Sequence, residues 1–378
     1  MNTRQVRDDP ELLELMIQDR QSTSDLYKST KYWSELEKTF LPELQSMGLH
    51  DFRRRHNSVL TAIGATDLEP YSTFLNTPPA TAARRILQFQ LKISLVLKKI
   101  RESLIHKTVD HSSTKCSDTN LALYESAKSY GEKNGAMPVS KFEASPIGNP
   151  ENLFFIGDKM YTASLLNYYI QYAYCCKYMN FDSIHTITEL GSGAGKQIEV
   201  LRKLHPNLCF YIFDIPPQLY VCEQYLSELF PDSVVFYRQT RTMESIPLPE
   251  KGKIFIFGNW KLSELKNLKY DLFWNSAGFQ EMEPFVVLNY LKYINQQTVK
   301  YVFLHERMNG VNKSTTKVQT GVIEQTKMEH YKKGLKDFHL EDASSAVRVP
   351  KLTPWTSYKF SFWTRSRTTN KSDFDYSP

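Results

Sequence analysis

The stretch Thr188-Glu-Leu-Gly-Ser-Gly-Ala-Gly195 decides the fold of this chain. It follows an apolar run over 184–187, and a second apolar run over 209–213 leads directly to Asp214. A strand, a glycine turn, a helix and a second strand that ends in an acid form half of a nucleotide-binding α/β sheet. We therefore predict an α/β fold whose ligand site lies at the carboxyl ends of parallel strands.

The acid before the glycine turn indicates which ligand the turn holds. The dinucleotide fingerprint has a glycine where this chain has Lys196, and Glu189 at the strand end would repel a pyrophosphate. S-adenosylmethionine (SAM) carries a sulfonium and an ammonium and no phosphate, so a carboxylate suits it. We predict SAM as the cofactor, with Asp214 accepting hydrogen bonds from the ribose hydroxyls. The predicted contacts around the turn are Glu189, Gly191, Ser192, Gly193, Gly195, Asp214 and Ile215.

Further polar residues follow later strands. The run 253–257 ends before Asn259 and Trp260, and we expect the Trp260 indole to cover the adenine ring. The next strand leads to Asn275 and Ser276, which we assign to the cofactor, and then to Gln280, which we assign to the substrate.

Two residues are candidates for the general base. A hydroxyl that accepts a methyl group must lose its proton, and His305 and Glu281 both follow strands at the expected edge of the sheet. His305 is equally consistent with a structural histidine, and Glu281 with a structural hydrogen-bond acceptor or a ligand-orienting group.

The composition limits the class of protein. The chain has 378 residues, 41% hydrophobic content and a net charge of +6, which is too small a charge to indicate nucleic-acid binding. The five cysteines lack metal-ligand spacing and we expect them to be reduced; we predict no metal site. No apolar window is long enough for a membrane span and the first residues do not resemble a signal peptide, so we expect a cytoplasmic protein. The sequence is compatible with a homo-oligomer.

Three regions differ in pattern. We predict a helical domain over 1–140, a sheet-containing domain over 141–365 and a disordered polar tail over 366–378. The first region includes a helix over 26–44 that is broken by Pro42 and a basic amphipathic helix over 81–106. In the second, we expect a strand over 234–237, helical structure near 318–334 and an antiparallel edge strand over 358–363.

Several short motifs resemble those of the sugar O-methyltransferase family. They are Tyr32-Trp33, Phe52-Arg53, Glu143 with Ile147-Gly-Asn-Pro150, the glycine turn, Phe213-Asp-Ile-Pro216 and Asn275-Ser-Ala-Gly-Phe-Gln-Glu-Met282. The resemblance implies a Rossmann-like SAM-dependent methyltransferase core with an N-terminal helical extension. It also implies SAM contacts at Glu189, Gly191, Gly193 and Asp214, and roles for Asn275 and Glu281.

We therefore expect a SAM-dependent O-methyltransferase that acts on a sugar hydroxyl, in a glycan precursor or a nucleotide sugar. The N-terminal helices would form a lid, with Tyr32, Trp33 and Arg53 contacting the substrate. Two alternatives stay open: an NAD-dependent sugar-modifying oxidoreductase, and a noncatalytic binding protein on the same fold.

Overall fold

The apolar runs of the sequence form the strands of a computed structural model that describes residues 6–55, 58–66, 118–349 and 353–366. The predicted basic helix over 81–106, and all but the first residue of the predicted tail, lie outside these ranges. The strands of the described residues are β1 (Phe154–Ile156), β2 (Lys159–Tyr161), β3 (Thr186–Leu190), β4 (Cys209–Asp214), β5 (Val234–Val235), β6 (Ile254–Gly258), β7 (Lys269–Ser276), β8 (Thr298–Arg307), β9 (Phe338–Arg348) and β10 (Thr353–Arg365). The α-helices are α1 (Pro10–Gln21), α2 (Lys31–Met47), α3 (Asp118–Lys133), α4 (Ala163–Cys176), α5 (Lys196–Leu204), α6 (Pro216–Leu229), α7 (Tyr237–Thr240), α8 (Pro284–Gln296) and α9 (Met328–Gly334).

Strands β3 to β10 form one sheet in the order β5-β6-β4-β3-β7-β8-β10-β9. The pairs from β5 across to β8 are parallel. The chain leaves β3 toward β4 on one side and returns to β7 on the other, so the strand order reverses at β3. Open α/β sheets bind their ligands at such a reversal, outside the carboxyl ends of the strands. The predicted Rossmann-like α/β fold is confirmed.

Strand β10, the last of these strands in the sequence, is antiparallel to both of its neighbours in the sheet. Strand β10 pairs antiparallel with β8 on one side and with β9 on the other. The predicted antiparallel strand is therefore present, and it lies one place in from the edge because β9 covers its outer side. Since β9 runs parallel to β8, its last residues reach the same end of the sheet as the last residues of β8.

Both faces of the sheet are buried. Phe210 and Ile212 of β4 belong to one hydrophobic core, and Tyr211 and Phe213 of the same strand belong to the other. This alternation explains why β4 reads as an uninterrupted apolar run, as strands covered on both faces do.

The N-terminal helices share the core of the sheet. Leu12, Leu13 and Met16 of α1 are buried in the same cluster as Phe210 and Ile212. Asp9 caps α1 by accepting a hydrogen bond from Leu12 N at 3.0 Å. The predicted division of the chain at residue 140 stays a prediction, and this shared core holds the N-terminal segment against the sheet.

Three predicted elements are corrected by the structure. Helix α2 continues through Pro42 to Met47, because Phe40 and Leu44 on either side are buried and their packing outweighs the lost hydrogen bond. The strand predicted over 234–237 is only two residues long. The helix predicted near 318–334 is confined to α9. Residues 318–327 do not form a helix, because the apolar side chains of Val318 and Ile323 are exposed and provide no buried helix face.

The shared core predicts a difference between two methionines. Met16→Ala should lower the free energy of unfolding by about 2–5 kcal/mol, because Met16 is fully buried in α1. Met47→Ala is the matched control, since 58% of Met47 is exposed and the change should cost less than about 0.5 kcal/mol. Chemical denaturation measures both, and equal effects would show that α1 does not pack into the core.

Candidate functional site

A cavity of about 680 Å³ lies at the carboxyl ends of the strands. Strands β3, β4, β6, β7, β8 and β9 contribute residues at or just beyond their carboxyl ends, and β10 contributes Tyr358 and Phe360, which pair with the last residues of β8. The N-terminal segment, by which we mean the described residues 6–55 and 58–66, contributes Thr30, Trp33 and residues 61–64 to the cavity wall. The sheet and the N-terminal segment therefore build one enclosed site.

The glycine turn has an unusual neighbour. Gly193 has a φ of +54°, and a Cβ there would lie 2.5 Å from the carbonyl oxygen of Ile63. That carbonyl also accepts a hydrogen bond from Ala194 N at 3.0 Å. Glycine is required at 193 both by the backbone conformation and by the close approach of the N-terminal segment.

The Asp214 carboxylate accepts hydrogen bonds from residues of the glycine turn. It accepts from Gly193 N at 2.9 Å and also from Ile215 N at 2.8 Å, and Ser192 Oγ lies 3.4 Å away. Burial raises the pKa of Asp214 to about 7, against the opposing effect of these donors. Asp214 thus lies in the cavity wall with its ionisation poised near neutral pH.

Glu189 is the acid that precedes the turn. Only 2% of the residue is exposed, and its Oε2 atom accepts no hydrogen bond from a described residue. Burial, and then the nearby Asp214 carboxylate, raise the pKa of Glu189 well above its usual value. A buried carboxyl group without a partner is costly, and a cation in the cavity would stabilise its charged form.

Asn259 follows β6 and joins the sheet to the N-terminal segment. Its Nδ2 atom donates to the carbonyl oxygen of Tyr27 at 2.9 Å and to the hydroxyl of Tyr290 at 2.8 Å. Its Oδ1 atom is buried and accepts no hydrogen bond from the described part of the chain. These contacts fix the amide so that its acceptor is free for a ligand.

Glu281 is held by the N-terminal segment. Trp33 Nε1 donates to its Oε2 atom at 3.0 Å, and Thr30 Oγ1 donates to its backbone oxygen at 2.9 Å. Burial raises the pKa of Glu281 to about 8, the Trp33 hydrogen bond opposes the shift, and the Asp214 carboxylate adds to it. Glu281 is therefore mostly protonated at neutral pH in the ligand-free cavity.

His305 lies in the wall beside Ser276. Its Nδ1 atom is 3.0 Å from Ser276 Oγ, and its ring contacts Tyr358 and Phe360. Burial, and then the charge of Arg348, lower the pKa of His305 to about 3. The imidazole is thus neutral over the physiological range and is a weak base.

Most of the predicted site residues meet at this cavity. Those in its wall are Trp33, Glu189, Gly191, Ser192, Gly193, Asp214, Ile215, Asn259, Ser276, Gln280, Glu281 and His305. Five predicted residues are not in the wall, namely Tyr32, Arg53, Gly195, Trp260 and Asn275.

Trp260 and Asn275 do not have their predicted positions. The Trp260 ring packs beneath Gly258 and edge-on to Tyr237, so it does not cover a ligand in the cavity. Asn275 is fully buried and braces two loops: its Nδ2 donates to Leu190 O at 2.6 Å, and its Oδ1 accepts from Phe279 N at 3.0 Å. Its amide is already used by the backbone, and its role is structural.

Arg53, Tyr32 and Gly195 also lie outside the cavity wall. Arg53 is fully buried, and its guanidinium donates to the carbonyl oxygens of Ser145 and Ile147 at 2.6 and 3.1 Å. The Tyr32 ring packs against Trp33. Gly195 begins α5 in a left-handed conformation, and a Cβ there would lie 3.0 Å from Cys222 Sγ. These residues shape the site without reaching its surface.

The sequence analysis missed several cavity residues on helices. Gln171, Gln197 and Gln218 line the cavity, and each has a buried side-chain amide atom without a hydrogen-bond partner among the described residues. A glutamine within the apolar run of α4 was a readable signal for Gln171. No such signal for Ile63 is present in the sequence, because Ile63 contacts the glycine turn through its backbone carbonyl, which every residue has.

Two further properties bear on the kind of site. In the described ranges, no group of three or more His, Cys, Asp or Glu side chains is arranged to hold a metal ion. Of the helices that the structure describes, none combines the length and the apolar character needed to cross a membrane.

Comparisons with known proteins give a limited likeness. No protein-family model and no curated protein matches the sequence. Magnesium protoporphyrin IX methyltransferase from Synechocystis PCC 6803 with bound SAM aligns at 11% identity and a TM-score of 0.35, over 68% of this chain and 100% of that chain. A mitomycin 7-O-methyltransferase aligns at 10% identity and a TM-score of 0.33, over 66% of this chain and 69% of that chain. Human N-acetylserotonin methyltransferase in complex with SAM aligns at 13% identity and a TM-score of 0.31, over 53% and 56%. At such TM-scores the likeness supports no conclusion about function.

The contact between Gly193 and Ile63 predicts unequal effects of two glycine substitutions. Gly157 has a φ of +62° with open space around it, so Gly157→Ala should cost about 1–2 kcal/mol of stability from backbone strain alone. Gly193→Ala has the same kind of strain, and in addition its Cβ must displace the Ile63 carbonyl. We expect a larger loss of stability, and faster proteolysis near residues 58–66. Equal losses in thermal unfolding would contradict the close approach.

Proposed function

We propose that this chain is a SAM-dependent methyltransferase that methylates a hydroxyl oxygen of a sugar. The observation that carries the proposal is Glu189, a buried carboxyl group that faces an enclosed cavity beside a glycine turn and has an unused oxygen. Such a group favours a cationic ligand, because an opposite charge at short range in a dry site offsets the cost of its burial.

The surroundings of the turn argue against a dinucleotide. Dinucleotide-binding folds place a pyrophosphate at the start of the helix after the turn, where backbone N–H groups point at it. Here Ala194 N donates to the Ile63 carbonyl and Gly193 N donates to Asp214. Both acceptors carry negative charge or partial negative charge, so an NAD pyrophosphate would meet repulsion where it needs donors.

The remaining wall suits an adenosine. Asp214 lies at the end of the second strand of the half-fold, where acids bind ribose hydroxyls. The free Oδ1 atom of Asn259 suits a donor such as the exocyclic amine of adenine. When bound, SAM supplies the methyl group, which moves from sulfur to the acceptor oxygen and leaves S-adenosylhomocysteine.

Glu281 suits the role of general base better than His305. A base works best when its pKa lies near the operating pH, and the pKa of Glu281 is about 8 whereas that of His305 is about 3. The hydroxyl proton passes to the Glu281 carboxylate as the new carbon–oxygen bond forms. We assign His305, with Ser276, to orienting the acceptor by hydrogen bonds.

Several polar side chains in the wall away from the glycine turn support a sugar acceptor. They include Asn167, Tyr168, Gln171, Gln280 and Tyr358. Among them, Gln171 has a buried amide oxygen without a hydrogen-bond donor in the described part of the chain, and this oxygen can accept from a sugar hydroxyl. We assign residues 28–33 and 61–66 to a lid over this cavity, because members of both stretches lie in its wall and Trp33 and Thr30 donate hydrogen bonds to Glu281.

Removing the charge of residue 189 tests the cofactor assignment. Glu189→Gln should weaken SAM binding by about 1.5–3 kcal/mol, the usual contribution of a hydrogen bond to a charged group. Isothermal titration calorimetry with SAM and with NAD measures this, and exposed Glu324→Gln is the matched control. Unchanged SAM affinity in Glu189→Gln, or NAD binding tighter than SAM binding, would contradict the assignment.

SAM affinity should depend on pH. The pKa values of Asp214 and Glu281 are about 7 and about 8, so both groups lose their protons as the pH rises from 6 to 9. The cavity becomes more negative and should bind the cationic cofactor more tightly. Calorimetry at pH 6 and pH 8.5 gives the comparison. An affinity that falls over this range would show that the acids do not face the cofactor.

Turnover separates the two candidate bases and excludes a noncatalytic protein. With methyl-labelled SAM and a panel of free and nucleotide-linked sugars, Glu281→Gln should reduce kcat by about 10²–10⁴-fold. The wild-type kcat/KM should rise with an apparent pKa near 8, the value for Glu281 in the free protein, and His305→Gln should keep that profile with a raised KM. If the pH dependence is lost in His305→Gln but kept in Glu281→Gln, then His305 is the general base and Glu281 orients the acceptor. If no methyl group is transferred to any acceptor, the protein is a noncatalytic binding protein.

A further inference from the structure

An arginine lies at the end of the cavity that is far from the glycine turn. Arg348 is the last residue of β9 and forms part of the cavity wall. The next residue is fixed to helix α4, since Val349 N donates to Asn167 Oδ1 at 3.1 Å. The end of β9 is therefore anchored to a neighbouring element that also lines the cavity.

A second guanidinium lies behind this wall. The Cζ atom of Arg307 is 4.9 Å from the ring centroid of Tyr358, which pairs with Arg307 across strands β8 and β10. Gln280 fixes this pair, because its Nε2 donates to the Tyr358 hydroxyl at 3.1 Å and its Oε1 accepts from Arg307 N at 2.7 Å. The buried Nε atom of Arg307 has no hydrogen-bond partner among the described residues.

The two arginines make this end of the cavity positive. Burial lowers the pKa of Arg348 to about 10, and the nearby Arg307 contributes to the shift, so Arg348 stays charged at neutral pH. The charge of Arg348 also lowers the pKa of His305. The acids Glu189, Asp214 and Glu281 face the same cavity from other parts of its wall.

Distance separates this positive end from the proposed cofactor residues. In the sheet order β3-β7-β8-β10-β9, Arg348 is four strands away from Glu189. Adjacent strands lie about 4.8 Å apart, which places the two strand ends about 19 Å from each other. The arginine is thus on the side of His305 and Tyr358, where the acceptor binds in the proposed function.

We propose that the acceptor sugar carries an oxyanion, either a carboxylate or a phosphate, and that Arg348 binds it. This inference rests on the proposed function, because it assigns the second half of the same cavity. Guanidinium groups match both oxyanions with paired hydrogen bonds. Arg307, held against Tyr358, adds positive potential behind the wall.

Calorimetric titration of the full chain saturated with S-adenosylhomocysteine tests this. The probes are D-glucuronate, α-D-glucose 1-phosphate and, as the neutral control, D-glucose. We expect at least one anion to bind at least tenfold more tightly than glucose, because hydrogen bonds to charged groups are the stronger ones. The two anions separate a carboxylate from a phosphate. Equal binding of all three sugars would overturn the proposal.

Variants identify the residue responsible. Arg348→Gln should remove the preference for the anion, Arg348→Lys should keep part of it, and Arg7→Gln, at an exposed arginine, should leave it unchanged. The affinity for S-adenosylhomocysteine should stay within about twofold of wild type in Arg348→Gln, which also shows that the variant is folded. If Arg348→Gln weakens the cofactor product as much as the anion, Arg348 binds the cofactor carboxylate and the proposal is wrong. If wild-type protein does not bind S-adenosylhomocysteine, the proposed function itself falls and this proposal falls with it.

Discussion

The proposed site depends on Glu189, a carboxyl group that is buried beside a second acid, Asp214. Glu189 lies at the end of the central strand β3, and one of its oxygens has no hydrogen-bond donor among the described residues. Such an arrangement costs stability, and proteins keep it where a ligand completes it. Asp214 and Glu281 share the cavity, and burial raises the pKa of both. In the proposed function, the acids beside the glycine turn favour the cationic cofactor at that end of the cavity.

The N-terminal segment turns a sheet edge into an enclosed cavity. The Ile63 carbonyl reaches the glycine turn, Trp33 and Thr30 bind Glu281, and Asn259 binds the backbone at Tyr27. Enclosure lowers the effective dielectric, so the acids and Arg348 act on a ligand more strongly than they would at an open surface. The cavity is therefore polarised, with acids around the turn and a guanidinium near the ends of β8, β9 and β10. A positively charged methyl donor and a negatively charged methyl acceptor would each bind beside residues of opposite charge.

The sequence predicted those parts of the site that arise from local pattern. The glycine turn, Glu189 and Asp214 follow from the order of strand, turn and helix, and the structure places them together as that order requires. Asn275 and Trp260 were placed wrongly because residues at strand ends can face either the cavity or the backbone beneath it, and spacing does not distinguish the two. Ile63 acts through a carbonyl that any residue has, and Arg348 depends on β9 returning beside β10. Both contacts arise from long-range packing that no local pattern contains.

The most direct measurement is a crystal structure of the protein soaked with SAM. The proposed function predicts density for the nucleoside in this cavity, with its ribose hydroxyls at Asp214 and a cationic group of the methionine portion within hydrogen-bonding distance of Glu189. A phosphate-bearing nucleotide over the glycine turn, or a SAM molecule whose positive groups avoid Glu189, would contradict it.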